Sequence, residues 1–342
     1  MIIDTHAHAL DEAFLAALCH KTAFGLSAER RADGRFWVKR GDGAAHSLDE
    51  NLSDIPKRGE SLARRGVDLQ LIAPPPGFVA WPGGAADVEY ARALNAHGAR
   101  IAAQGQGRLE LMAALALAMP GECAYELERA ADLYGARSAL LPATAGGRPL
   151  DGPEFDALFT VAEKLGLLLF MHPVSAEPPT RFPLYGVQVL VQWPFETTLA
   201  VTRMIFEGVF DRHPGLQLLL AHGGGDLIFL KGRLNSAYAA TGWEADPYYR
   251  KHVSKAPGEY YRQIYFDTCA LSPESVDFTI QVAGADRVMF GTDYPFDIGD
   301  AEAKLALPAL NRLPEDARQK IFSGNAAAVL AAARKSGDTH AP

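Results

Sequence analysis

Eight short apolar runs constrain this chain more than any other feature. They lie at residues 1–6, 67–73, 109–116, 137–142, 166–171, 216–221, 263–268 and 287–291. Helical stretches fall between them at 84–104, 122–134, 153–165, 196–212, 225–239 and 273–283. Mainly apolar runs without strict polar alternation are what a parallel sheet covered on both faces requires. Strict alternation with helices is the βα pattern, and a count of eight favours closure into a (β/α)8 TIM barrel over an open doubly wound sheet. The first run is not followed by Gly-x-Gly-x-x-Gly, so the usual dinucleotide signature is missing.

Four of these runs end in residues that bind metals. The first closes as His6-Ala7-His8, and residues two apart on a strand share a face, so one ion can accept both imidazoles. The run at 166–171 is closed by His172-Pro173, that at 216–221 by His222-Gly223-Gly224-Gly225, and the last by Asp293-Tyr294-Pro295. Functional side chains at strand C-termini are the barrel-enzyme arrangement. His6, His8, His172 and Asp293 can hold one divalent metal; imidazole with carboxylate suits Zn²⁺, and also Mn²⁺, Fe²⁺ or Co²⁺. The run at 137–142 offers no Lys or Glu to bridge a second ion, so one metal is expected. His222 is the candidate general acid/base because imidazole titrates near neutrality, with a fifth-ligand role as the alternative. Asp293 can be a ligand, a base, or both. His20, His46, His97, His213, His252 and His340 have no partner pattern, although His46 falls near the site in sequence.

Two long segments leave strand ends and should rim the site. Residues 9–60 form an insert whose stretch Asp33 to Gly43 reads as a hairpin with glycine-bearing turns, and residues 173–195 are rich in proline and aromatics, including Pro178, Phe182, Tyr185 and Trp193. Residues 243–262 form a further polar insert and 301–334 terminal helices; the expectation is one barrel domain over 1–342. Arg233, eleven residues past His222, is a guanidinium that could recognise a carboxylate.

Bulk properties narrow the function classes. With 33 Lys+Arg against 41 Asp+Glu, the net charge of −8 argues against a general nucleic-acid surface. Arg30-Arg31 and Arg64-Arg65 are expected to be solvated helix charges. Cys19, Cys123 and Cys269 are too few and scattered for a disulfide framework, which implies a reducing compartment. Cys269 ends a strand run, and a buried thiol is its expected state. The longest apolar run, Leu111 to Met119, is too short to span a membrane, and strand 1 begins where a leader would sit. These features imply a cytoplasmic protein.

The motifs Pro194-Phe195-Glu196-Thr197-Thr198, Gly208 to Pro214, Ala221-His222-Gly223-Gly224-Gly225, Gly232-Arg233, Gly291-Thr292-Asp293-Tyr294-Pro295-Phe296 and Gly324-Asn325 together resemble the amidohydrolase superfamily. Within it they resemble the amidohydrolase-related branch typified by 2-amino-3-carboxymuconate-6-semialdehyde decarboxylase. The resemblance implies a barrel with one Zn²⁺ on His6, His8, His172 and Asp293. It implies proton transfer by His222 with metal-bound water, and Arg233 on a substrate carboxylate, across a homodimer interface in one version. The reaction implied is non-oxidative decarboxylation of an aromatic or unsaturated carboxylic acid, with no redox cofactor. Two departures concern substrate: Val174 replaces the branch's Trp after His-Pro, with Trp193 as a partial substitute wall, and Arg35, Lys39 and Arg40 lie where the branch places substrate-binding cations. A hydrolase of a lactone, ester or amide is the alternative. A hydratase is a second, suggested by Phe266-Asp267-Thr268-Cys269, although such hydratases carry Glu where this chain has Asp293. A non-catalytic binding barrel is a third.

Overall fold

The computed structural model describes residues 1–43, 45–79, 83–174, 185–241 and 248–333. Eight parallel strands form one sheet: β1 (Ile3–His8), β5 (Leu69–Ala73), β6 (Leu109–Ala113), β7 (Ser138–Pro142), β8 (Leu168–His172), β9 (Gln217–Leu220), β10 (Ile264–Asp267) and β11 (Val288–Met289). Between β1 and β5 stand the three antiparallel strands β2 (Leu26–Arg30), β3 (Phe36–Arg40) and β4 (His46–Ser47). The long sheet closes on itself. Thr5 N–H donates to Phe290 O at 2.8 Å, Asp293 N–H to His6 O at 2.8 Å and His8 N–H to Tyr294 O at 2.8 Å. All eight expected runs are therefore strands of a (β/α)8 barrel, and closure leaves no free edge for another chain to extend.

The helices are α1 (Glu12–His20), α2 (Ile55–Arg65), α3 (Ala85–Gln104), α4 (Pro120–Tyr134), α5 (Asp156–Leu165), α6 (Trp193–Phe206), α7 (Val209–Arg212), α8 (Leu227–Ala239), α9 (Pro273–Ala283), α10 (Leu307–Leu310), α11 (Glu315–Gln319) and α12 (Asn325–Ala332). Local chemistry sets their starts. Asp54 caps α2 by accepting from Lys57 N–H at 2.9 Å, and Ser272 caps α9 by accepting from Ser275 N–H.

The core has two layers. Leu141, Leu169, Leu218 and Phe266 face outward onto α4, α5, α6 and α8, in one cluster with Leu127, Phe159 and Met204. Ile3, Leu71, Leu168, Phe170, Leu219 and Met289 face the barrel axis, and Ala326, Val329 and Leu330 of α12 join them. That helix lies near the strand starts, since Arg137, one residue before β7, donates to Leu330 O. The mouth at the strand ends is therefore the open face.

The insert between β1 and β5 is the expected hairpin enlarged by a strand. Phe36 and Val38 of β3 and Leu26 of β2 pack with Phe14, Leu15 and Leu18 of α1 and with Phe78 and Tyr90. The paired arginines need correction. Arg30 ends a strand, and Arg65, far from being solvated, is buried beneath the ring of Tyr294, its guanidinium 4.2 Å from the centroid. Arg58, two turns earlier on α2, is fully buried 4.7 Å from the same centroid. An aromatic face is a favourable partner for a desolvated guanidinium, which a reading of charge alone does not show.

Candidate metal centre and active-site cavity

The expected ligands converge at the mouth. His6 and His8 project together from β1, His172 is the last residue of β8, and Asp293 follows β11. Asp293 sits at φ 60°, a left-handed conformation that costs a non-glycine residue energy and marks a position held by its surroundings. His6 Nε2 and His8 Nε2 lie 3.2 and 3.1 Å from Asp293 Oδ1 and 3.3 Å from each other. One ligand atom from each of His6, His8, His172 and Asp293 falls within 4.8 Å of all the others, and all four residues are buried.

The opposite ring nitrogens show that this is a cation cradle. His8 Nδ1 faces Pro74 O at 3.3 Å, and His172 Nδ1 faces Pro173 O at 2.9 Å. A carbonyl only accepts, so both rings carry their proton on Nδ1 and turn the Nε2 lone pair inward. His6 Nδ1 is held by Asp267 Oδ2 at 2.6 Å in the same sense. His172 Nε2 is buried with no hydrogen-bond partner among the described residues. An orphaned inward lone pair, two imidazole nitrogens in near contact and a carboxylate fit a divalent cation.

The electrostatics agree. Burial opposes charge on Asp293, but His6, His222 and His8 outweigh it and hold the carboxyl well below its ordinary range. Burial also opposes charge on His6, yet Asp293 and Asp267 together raise it to about 10. Burial lowers His8, and burial with the neighbouring imidazoles takes His172 well below its ordinary value. Without metal the cluster keeps one proton on His6, and a cation would have to displace it.

His222 stands just outside the four-atom group. It follows β9 at φ 55°, with its ring 5.0 Å from that of His172 and Nε2 3.5 Å from Asp293 Oδ2. The glycines after it are a packing necessity. A Cβ on Gly225 would come within 2.2 Å of Pro194 O, so the start of α6 can lie against this loop only over glycine.

Asp267, the last residue of β10, has a role that the sequence reading did not assign. Besides His6, it accepts from the backbone N–H of His222 at 3.2 Å, Gly223 at 2.7 Å and Cys269 at 3.1 Å. It thus aligns one ligand and the His222 loop at once. Gly291 leaves room for it, since a Cβ there would meet His6 Cβ at 2.9 Å and Asp267 Cβ at 3.0 Å. Asp4, also unassigned, accepts from Thr292 Oγ1 at 2.6 Å, Gln70 Nε2 at 2.8 Å and the backbone of His6 at 3.2 Å. Arg58 donates to His8 O, Asn51 O and Gln70 Oε1. The position of Asp267, at a strand end like the ligands themselves, was the available signal.

A cavity of about 420 Å³ opens above the cluster, and His172, His222 and Asp293 reach it. Trp193 stands in its wall, with its ring 5.9 Å from that of His172. Arg233 does not line it. That residue is exposed on α8. Arg40 does not line the cavity and donates to Gly77 O, Arg35 lines a separate cleft with Asp49 and Glu50, and His46 is exposed on β4. Cys269 is buried, and burial raises its thiol well above the ordinary range. Pro178, Phe182 and His340, like Pro179, Pro183 and part of the 243–262 insert, lie outside the described residues.

A closed (β/α)8 barrel with a buried His₃Asp cradle at its mouth and a fourth histidine beside it defines a metal-dependent barrel enzyme. The chain belongs to the amidohydrolase family, whose pattern matches residues 3–331. It is 30% identical over 338 residues to 2-amino-3-carboxymuconate-6-semialdehyde decarboxylase of Dictyostelium discoideum, a match covering 95% of this chain and 90% of that one. Among solved structures, 5-carboxyvanillate decarboxylase from Sphingomonas paucimobilis superposes with a TM-score of 0.79 at 25% identity, over 96% of this chain and 98% of that one. The 5-carboxyvanillate decarboxylase from Novosphingobium aromaticivorans, crystallised with manganese and 4-hydroxy-3-methoxy-5-nitrobenzoic acid, superposes with a TM-score of 0.77 at 21% identity, over 97% and 96%. The family expected from the sequence is therefore the family found. No helix among the described residues is long and apolar enough to cross a membrane.

Proposed function

We propose that this protein is a metal-dependent, non-oxidative decarboxylase of an aromatic or unsaturated carboxylic acid. The observation that carries the reading is the four-atom cradle at the cavity floor, with His222 beside it but outside it. His6, His8, His172 and Asp293 hold one divalent ion, for which we take zinc, the usual partner of such a donor set, with manganese, iron or cobalt as alternatives. When bound, the ion supplies positive charge that polarises substrate oxygens and gathers the carboxylate. His222 delivers a proton to the carbon bearing the carboxylate, and Asp293 stabilises its protonated ring across 3.5 Å. The bond from that carbon to the carboxylate then breaks, its electron pair returns to the conjugated system, and CO₂ leaves. The net change is one proton consumed and one CO₂ released, without an oxidant. Asp267 fixes His6 and the His222 loop so that neither moves during the transfer.

The whole chain works as one barrel domain, with its insert supplying Leu48 and Leu52 to the cavity wall. A homodimer is supported by an exposed apolar stripe, Val191, Phe195 and Leu199 near the mouth with Phe229 on α8. Arg233 lies one turn from Phe229, so it would reach substrate only in a neighbouring subunit. Three free cysteines fit a cytoplasmic location.

The test is CO₂ release from a panel of aromatic acids by metal-loaded enzyme in D₂O. Deuterium at the vacated carbon, lost on His222→Asn while metal stays bound, is the expected result. Oxygen-18 uptake from water into product, with no CO₂, would replace the reading with the hydrolase. Phe229→Asp should yield a monomer by light scattering if the stripe joins subunits.

A further inference from the structure

The cavity wall limits what the substrate carries besides its reacting carboxylate. Above the floor of His172, His222 and Asp293, the described lining contains no Lys or Arg and no hydroxyl or amide side chain. Leu48 and Leu52 come from the insert, Phe78 from the loop after β5, Leu271 from the loop after β10, and Phe296 and Ile298 from the segment after β11. Leu190 and Trp193 complete the wall. The apolar surface continues to the mouth, where Leu190 is 57%, Ile298 46% and Leu271 37% exposed.

Among the described residues, no Lys or Arg side chain lines the cavity. Arg40 donates to Gly77 O, Arg58 and Arg65 flank Tyr294, and Arg35 lines another cleft with Asp49 and Glu50. A second carboxylate in this cavity would lose its water and meet hydrocarbon, a costly exchange for an unpaired charge. A hydrocarbon substituent would gain from the same wall.

We infer that the substrate is an aromatic monocarboxylic acid with an apolar remainder, such as an alkyl-substituted hydroxybenzoic acid, and that dicarboxylates are excluded. This rests on the decarboxylase reading and separates the chain from its Dictyostelium relative, whose named substrate carries two carboxylates. The acid group goes to the floor, and the alkyl substituent points toward Leu48, Leu190 and Ile298.

The experiment uses the zinc- or manganese-loaded full chain. Turnover is measured for 2-hydroxybenzoic acids bearing hydrogen, methyl, ethyl or propyl on the ring, and for the same acid bearing a second carboxylate. Binding of the non-reacting partners, alkylbenzoates and isophthalate, is measured by calorimetry. Affinity and kcat/KM should rise about fourfold per added CH₂, mainly through KM. Dicarboxylates should lag by about a hundredfold or more. Leu190→Arg and Ile298→Arg, both at exposed positions, should narrow that gap. Dicarboxylates bound or turned over within about threefold of the monoacids would overturn the inference; if Arg233→Ala abolished that activity, a neighbouring subunit's guanidinium would be the missing cation. Should no acid release CO₂ while alkylbenzoates still outbind isophthalate, the decarboxylase reading fails and the apolar specificity stands.

Discussion

Asp267 does not line the cavity above the cluster, yet three parts of the centre depend on it: the Nδ1 of His6, the backbone at His222 and Gly223, and the turn at Cys269. Partners of this kind set the orientation and basicity of a metal ligand. Asp267→Ala should lower metal affinity about 10–100-fold, read by titration against a chelator, with circular dichroism showing the barrel retained. His6 gives a pH signature. Its folded, metal-free value of about 10 lies above the ordinary 6.5. Its protonation therefore stabilises the fold fully below pH 6.5, and that contribution is lost as pH rises toward 10. The melting temperature of chelator-treated protein should fall across that window. In metal-loaded protein the fall should vanish, because the ion has taken the place of the proton. Metal binding at pH 8 should also release a proton, visible as buffer-dependent heat. The four residues of the proposed metal group were legible because each closes an apolar run. Asp267 and Asp4 were not, because their role is set by hydrogen bonds across the barrel, between residues 261 and 288 positions apart.

Among the elements, the barrel strands were the easiest to read. Each is largely buried on both faces and so carries a mainly apolar signature without strict alternation. The insert was harder. Its short strands alternate, and its chief anchor is Arg58, a residue whose charge argues for solvent. Inside the fold Arg58 joins α2 to β1 through His8 O, to the preceding turn through Asn51 O and to β5 through Gln70. Arg58→Met keeps much of the volume but strands these acceptors. It should cost about 2–5 kcal/mol, measured by urea unfolding. Because Leu48 and Leu52 ride on the same insert, KM should rise more than kcat falls. A purely structural role would lower stability and leave KM alone.

For the whole molecule, the two ends of the barrel do different work. At the strand starts α12 closes the axis with Ala326, Val329 and Leu330 against Ile3, Leu168 and Phe170. A chain ending at Gly324 would expose that interior. It should bind an apolar dye and lose the cooperative melt that the full chain shows. The proposed homodimer belongs to this scale too, since within one chain the exposed Arg233 of α8 does not line the cavity.

At the strand ends, the residues proposed for the chemistry and those proposed for recognition come from different sources. The floor is made by strand termini locked into the barrel, and the wall by an insert and loops that the barrel does not need in order to close. A lineage carrying this chain can therefore change its diet without relearning its chemistry. A library confined to Leu48, Leu190, Leu271 and Ile298 would explore new acids while the floor stays intact.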